Sequence, residues 1–307
     1  MIASAEDGKA LGAVSMSAMM NEEAVRQPIV DAGELLKRYA AGERDFRGVS
    51  LRGADLRKVD LSQANLRGAD LSEANLTGAS LRGVNLREAN LTQANLRGNL
   101  QEANLIGANL NKANLTEANL SDASLRAANL SGANLSGANL SHALLNEAIL
   151  REANLSRANL LETPLPRANL TKAILIEANL EGANLTNAVM LGANLEGANL
   201  TNAIFNGVNA SGANLARANL RRARLSGANM TNVIFSDANL REAEMTWSTL
   251  RGTNLTKANL FRAKLCWSNL TGAILVEAVL IEANLNQANL QNADLTGAIM
   301  PDAVTHY

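Results

Sequence analysis

Residues 54–76 read ADLRKVDLSQANLRGADLSEANL. Leu56, Leu61, Leu66, Leu71 and Leu76 fall five apart, each preceded by Asp or Asn, with Ala or Val one position further back. Working outward, the same beat starts at Phe46 and ends at Met300, giving 52 central positions of which 44 are Leu. The two residues after each centre are mostly polar, charged or Gly. One misstep interrupts the series: in LRGNLQEANL (96–105) Leu100 follows Leu96 by four residues.

A period of five suits neither regular element. On an α-helix it advances by about 500°, so the leucines would spiral over every face and leave no apolar stripe. Along a continuous strand an odd period sends alternate leucines to opposite sides. Within a unit, however, Ala and Leu are two apart and share a face. A short extended piece followed by a bend, once per unit, reconciles both facts and turns every Leu toward one axis. Small Ala beside large Leu fills such a narrow interior without voids. The fold class expected is therefore an all-β solenoid.

Charge columns set the expected coil at four units, 20 residues. Steps of 20 give Arg217, Asp237, Lys257, Glu277 and Arg222, Glu242, Arg262, Glu282, both alternating in sign as stacked strands favour. Steps of 15 or 25 break both series. Ala210, the smallest centre, then stands between Met190 and Met230, whose flexible side chains can lean into its space.

The A-(N/D)-L-x-x units over 46–300 resemble the pentapeptide repeat family, and GELLKRYAAGERDFRGVSLRGADL is similar to the start of cyanobacterial members. That resemblance implies a right-handed quadrilateral parallel β-helix. About 13 coils at roughly 4.8 Å each give a rod on the order of 60 Å long.

The expected organisation is a leader at 1–20, a helical cap at 21–45, the repeats at 46–300 with an irregular coil near 97–100, and a tail at 301–307. Solenoids expose strand edges and leucines at their ends, so caps are expected. Asp31 with Glu34 forms a capping box, Leu35, Leu36 and Tyr39 an apolar face, and Gly42 a stop. A weaker helical signal, NEEAVRQ, precedes Pro28. The tail MPDAVTHY is too short for a helix and leaves Met300 poorly covered, a place for a second chain to dock. At the misstep Gly98 takes the inward place, and Gly98 and Asn99 both tolerate positive φ in a tightened corner. In LETPLPRANL (161–170) Pro164 and Pro166 remove two backbone donors, which is tolerable where those amides face solvent.

Function is less legible. Residues 1–45 carry five Lys/Arg against eight Asp/Glu, whereas 46–300 carry 23 against 20. One cysteine, Cys266, excludes an internal disulfide framework and fits a reducing, cytoplasmic setting. No apolar run approaches the roughly 20 residues that cross a bilayer, so no membrane partner is expected. Two histidines, His142 and His306, are too few for a histidine metal cluster, and no nucleophile, P-loop or dinucleotide motif occurs. No enzyme, metal or cofactor is expected. The column Glu102, Asp122, His142, Glu162 is either a cation edge or, more simply, a solvated acidic edge.

Three outward features remain. Arg47, Arg67 and Arg87 form a basic stripe, able to meet an acidic partner or simply screened by Glu73 and Glu88. Without interleaved aromatics it argues poorly for nucleic acid. Trp247 and Trp267 share an outward column one coil apart, with Phe261, Val276 and Ile281 outward nearby, and Ile274, Val279 and Ile299 in place of Asn. Such apolar groups mark either an interaction surface or a pair that shields its own corner.

The expectation is a noncatalytic rod that binds a protein partner or itself, forming a homodimer through its C-terminal end. Relatives that mimic B-DNA and occupy a type II topoisomerase suggest an alternative. It requires a strongly negative rod, which a slightly basic repeat region does not supply. Ice binding requires a regular threonine array, and the column Thr116, Ser136, Ser156, Ile176 lapses into an apolar residue.

Overall fold

Each quintet closes with a tight turn. In the unit beginning at Leu51, the Ala54 amide donates to the Leu51 carbonyl at 3.0 Å and Gly53 has φ +66°. A hydrogen bond across four residues with positive φ at the third defines a type II turn. The same place is held by Lys58, Gln63, Glu73 and even Trp247, all at φ near +60°. For a side-chain-bearing residue that conformation costs on the order of 1 kcal/mol. The fold meets that cost at most corners, so it is offset elsewhere.

The offset comes from the ladder and the core. The computed structural model describes residues 31–305, so the expected leader at 1–20 and the NEEAVRQ signal lie outside the described residues, as do His306 and Tyr307. Residues before the centres pair in parallel one coil apart, from Asp45 with Asn65 to Val279 with Ile299, at a step of 20 except for four bridges at 19 between Ser80 and Asn114. Leu140 N donates to Asn159 O at 2.7 Å while Asn159 N donates to Ala138 O at 2.9 Å. Each coil is thus bonded to the coils on both sides. The 20-residue step expected from the charge columns is the register observed.

The extended pieces, however, are shorter than strands. Each bridge is isolated, and no multi-residue strand forms among the described residues. Of five residues, two form the turn and two face inward around it, leaving one in extended pairing. The solenoid is therefore a β-helix of single-residue bridges and turns.

Leucines and alanines from all sides meet inside. From Leu56 to Leu280 the central leucines are almost fully buried, as are most of the alanines two before them. Ala210, Met190 and Met230 are buried together with Phe205 and Phe235. Burying one leucine contributes roughly 2–3 kcal/mol, so dozens of them outweigh the strained corners.

The misstep at 96–100 leaves the ladder continuous. Ser80 pairs with Asn99, 19 residues on, and Asn99 with Asn119, 20 on. The expected reason for Gly98 is corrected. Neither Gly98 nor Asn99 has positive φ. A Cβ on Gly98 would instead lie 2.5 Å from the Ala79 carbonyl oxygen. Removing a residue pulls the chain against the previous coil, and only glycine fits that approach.

Of the two prolines, Pro164 differs from the expectation. Pro164 occupies a bridging position, and no bridge forms between Leu144 and Pro164, although Pro164 pairs onward with Asn184. Thr163, fully buried, donates its hydroxyl to Leu140 O at 2.8 Å beside the gap. Pro166 sits in the turn, where the amide is not part of the ladder, so it costs no bridge.

Helix α1 (Ala32–Ala40) covers the first coil. Asp31 accepts a 2.7 Å bond from Glu34 N, and Gly42 at φ +96° follows the helix. Leu35 is fully buried, Leu36 and Tyr39 pack on the core, and Tyr39 donates to Ser62 O at 2.9 Å. At the other end Leu285, Leu290, Leu295 and Met300 are only partly buried. Residues after Met300 turn back, with Thr305 pairing antiparallel to Ile299.

Candidate interaction surface

With Ala and Leu committed inward, outer chemistry resides in the residue before each centre and the two after it. Asparagines before the centre are structural. Asn159 Nδ2 donates to Asn139 Oδ1 at 3.1 Å, and Asn179 to Asn159 likewise. The same Oδ1 type accepts the amide two residues on, as Asn199 does from Thr201. These amides hold coils and corners together and leave little to offer a ligand.

The acidic edge does not gather into a site. His142 Nδ1 lies 3.7 Å from Glu162, and no group of three or more His, Cys, Asp or Glu side chains able to hold a metal occurs among the described residues. Thr116, Ser136, Ser156 and Ile176 border a shallow depression of about 490 Å³ at Gly137, between Glu117 and Arg157. No constellation of nucleophile and base accompanies it.

The arginine stripe is occupied by local carboxylates. Arg47 forks onto Asp45 at 2.7 Å, while Arg67 and Arg87 both reach Glu88 at 3.1 Å. The Arg47 bond holds the Asp45 carboxyl below its ordinary range, and the Arg67 and Arg87 bonds do the same for Glu88. Two carboxylates thus face the three arginines in exposed pairs, while Glu73 bonds Arg52 instead.

Trp247 and Trp267 come together. Their rings stack 5.0 Å apart and 5° from parallel. They remain 66% and 52% exposed. The stack therefore shields neither ring fully. The other outward apolar residues divide among separate corners. Going round the coil, Trp247 and Trp267 occupy the corner after the bridging column of Glu244 and Lys264. Phe261 and Ile281 occupy the corner before it. Val276 lies on the corner diagonal to the tryptophans, after the column of Asn254 and Ile274. The register makes these three places rather than one patch. Phe261 is itself covered by cations, with Arg241 and Arg262 each 4.8 Å from its ring centre.

Between the tryptophan and Phe261 corners lies a charged surface, of which the sequence pattern gave the Arg222 column as a mark of the period and not the Arg224 column beside it. Arg222, Arg224, Glu242, Glu244, Arg262 and Lys264 surround a shallow depression of about 670 Å³. Arg222 bonds Glu242 at 2.7 Å and Lys264 bonds Glu244 at 2.7 Å. The Arg222 bond keeps the Glu242 carboxyl below its usual range, and Glu244 raises the Lys264 ammonium above its own. Writing the sequence in rows of 20 would have placed this cluster beside the tryptophans, because the signal lies in columns.

Comparison with known proteins adds the family. The pentapeptide repeats profile matches in eight copies between residues 45 and 297, most of them overlapping. No curated protein matches the chain. Among solved structures, HetL from the cyanobacterium Nostoc, described as involved in heterocyst differentiation regulation, is 32% identical. That alignment covers 90% of this chain and all of HetL, with a TM-score of 0.25. A second Nostoc pentapeptide repeat protein, alr5209, is 43% identical over 37% of this chain and 84% of its own, with a TM-score of 0.24. QnrB1, a plasmid-mediated fluoroquinolone resistance protein, is 16% identical over 60% of this chain and 85% of its own, with a TM-score of 0.37. The repeat match over 45–297 and the chain's own parallel bridges agree on the same repeating unit.

Proposed function

Because this chain belongs to the pentapeptide repeat family, we propose that it is a noncatalytic rod whose outer columns bind a protein partner. The coil is read as right-handed and four-sided, supported by family membership and by the 20-residue register. A filled interior leaves only shallow side depressions, whereas binding and catalysis of small substrates need concavity. The observation that carries the reading is the exposed Trp247–Trp267 stack. Tryptophan is enriched at the energetic centres of interfaces, and a soluble surface does not require two of them in register. Among the described residues no helix is long and apolar enough to cross a membrane. The cytoplasm is the proposed setting, supported by the single, unpaired Cys266.

The test is affinity capture from the native cell, with full-length protein and the Trp247→Ser plus Trp267→Ser variant side by side. The expected result is a partner retained by the first and lost by the second, with unchanged circular dichroism. Size-exclusion chromatography with light scattering on the same pair shows whether that partner is a second copy. If the variant associates normally, the tryptophans are not the contact. A DNA mimic aimed at a topoisomerase receives no support from this surface, where arginines and lysines interleave with glutamates.

A further inference from the structure

The tryptophan stack has one open side. In its column the residue one coil before Trp247 is Gly227, and the residue before that is Gly207. A Cβ built on Gly227 meets nothing within 4 Å. At Gly207, in contrast, Asn187 leans in, its Oδ1 lying where a Cβ would go. The level of Gly227 is thus bare between the Asn187 side chain and the free face of Trp247. Adjacent coils are about 4.8 Å apart, and the two indoles already stack at 5.0 Å. One further planar ring at the Gly227 level would continue the stack.

The same coil level carries Arg221, Arg222 and Arg224. On this one corner and its bridging column (221–224, 241–244, 261–264 and 281–284), six cations (these three with Arg241, Arg262 and Lys264) face three carboxylates, Glu242, Glu244 and Glu282. The paired groups are accounted for: Arg222 with Glu242, Lys264 with Glu244 and Arg262 with Glu282 at 2.6–2.7 Å. Arg221 and Arg224 only approach carboxylates already engaged, at 3.8 and 3.9 Å. Two of the three surplus cations, Arg221 and Arg224, therefore sit on the coil that also holds the empty ring-sized place, and the third, Arg241, lies over Phe261.

We propose that this surface receives an acidic segment of a partner protein. One aromatic side chain of that segment stacks on Trp247 at the Gly227 level, and neighbouring carboxylates pair with Arg221 and Arg224. The inference rests on the protein-interaction reading above and names the chemistry of that partner. Arginine favours it because its planar fork bonds a carboxylate in two places. The charge pattern selects a protein over a nucleic acid. A single strand runs its phosphates along a continuous basic groove, whereas here Glu242 and Glu244 form an acidic row between two basic ones.

Two tryptophans give two indole N–H signals, a direct readout in a 15N-labelled full-length protein. The probes are three: a peptide of glutamates flanking one phenylalanine, its alanine counterpart, and oligonucleotides of matched charge, oligo-dT and oligo-U. The phenylalanine peptide is expected to shift both signals, Trp247 more. It should bind at least tenfold tighter than the alanine peptide and weaken between 50 and 200 mM salt, where the screening length falls from about 14 to about 7 Å. Gly227→Gln fills the level with a residue type the chain already tolerates at such corners, at Gln63 and Gln93, and should abolish the ring preference. Arg221→Gln with Arg224→Gln should remove the salt dependence. Equal binding of both peptides, tighter binding of either oligonucleotide, or no shift at millimolar peptide overturns the proposal. The broader reading fails separately, when the double tryptophan variant keeps its cellular partner. A partner lost on tryptophan replacement but kept by Gly227→Gln leaves that reading standing and removes this one.

Discussion

Two outer columns hold the same place in the repeat and carry opposite chemistry. Asn99, Asn119, Asn139, Asn159, Asn179 and Asn199 form a chain of amide bonds, 3.1–3.3 Å each. The column Ile204, Arg224, Glu244, Lys264 has no such chain, yet its backbone bridges at the same 20-residue step. The difference teaches that the backbone ladder and the interior set the fold, while the outer column is free to vary. The asparagines add stability. The charged column sacrifices that addition and gains a surface that can distinguish partners.

The comparison can be broken most forcefully from inside. Leu140→Ala leaves a cavity in the filled interior behind the asparagine column, and should cost about 2–5 kcal/mol, read as a lowered urea midpoint. A cost near zero would mean that the interior is not tightly filled. Gly98→Ala comes next. Forcing a Cβ against the Ala79 carbonyl should cost about 1–3 kcal/mol, in the manner of overpacking, and hydrogen exchange should localise the loosening to the 19-residue coil.

The outer columns then separate from each other. Asn159→Ala breaks amide bonds above and below and should cost about 1 kcal/mol. Lys264→Ala removes an exposed ion pair and should change stability by less than about 1 kcal/mol. Equal effects would erase the distinction between a structural column and a binding one. Because repeat arrays unfold in parts, both variants are best compared by exchange protection in their own coils.

The smallest effect is a pH dependence. The Arg222 bond lowers the pKa of Glu242 in the folded chain. Its contribution is therefore complete above the ordinary carboxylate pKa and disappears as pH falls through the lowered value. Wild type should exceed Glu242→Gln slightly in stability at neutral pH, and the gap should close in acid. A gap that widens in acid would reverse the assignment.

Much of the molecule was legible in one dimension because its contacts recur at fixed spacing. The capping helix was readable since Asp31 and Glu34 are three residues apart, and the coil length since opposite charges recur at 20. The reason for Gly98 was not readable, because the offending oxygen belongs to Ala79 in the previous coil. Nor was the isolation of the bridges, which depends on how many residues the turn consumes. The grouping of Val276 with the tryptophans ignored a signal that was present. The period itself sends residue 276 to a different corner from 267.

The amino-acid order alone determined which side chains face inward, because a five-residue beat of Ala and Leu can be buried in only one way. It determined the stacking step for the same reason, since like charges separate and unlike charges meet. Tertiary structure decided what the outward residues do. Whether an arginine is paired, a tryptophan stacked or a glycine left bare depends on the residue one coil away, and those neighbours exist only once the chain has wound.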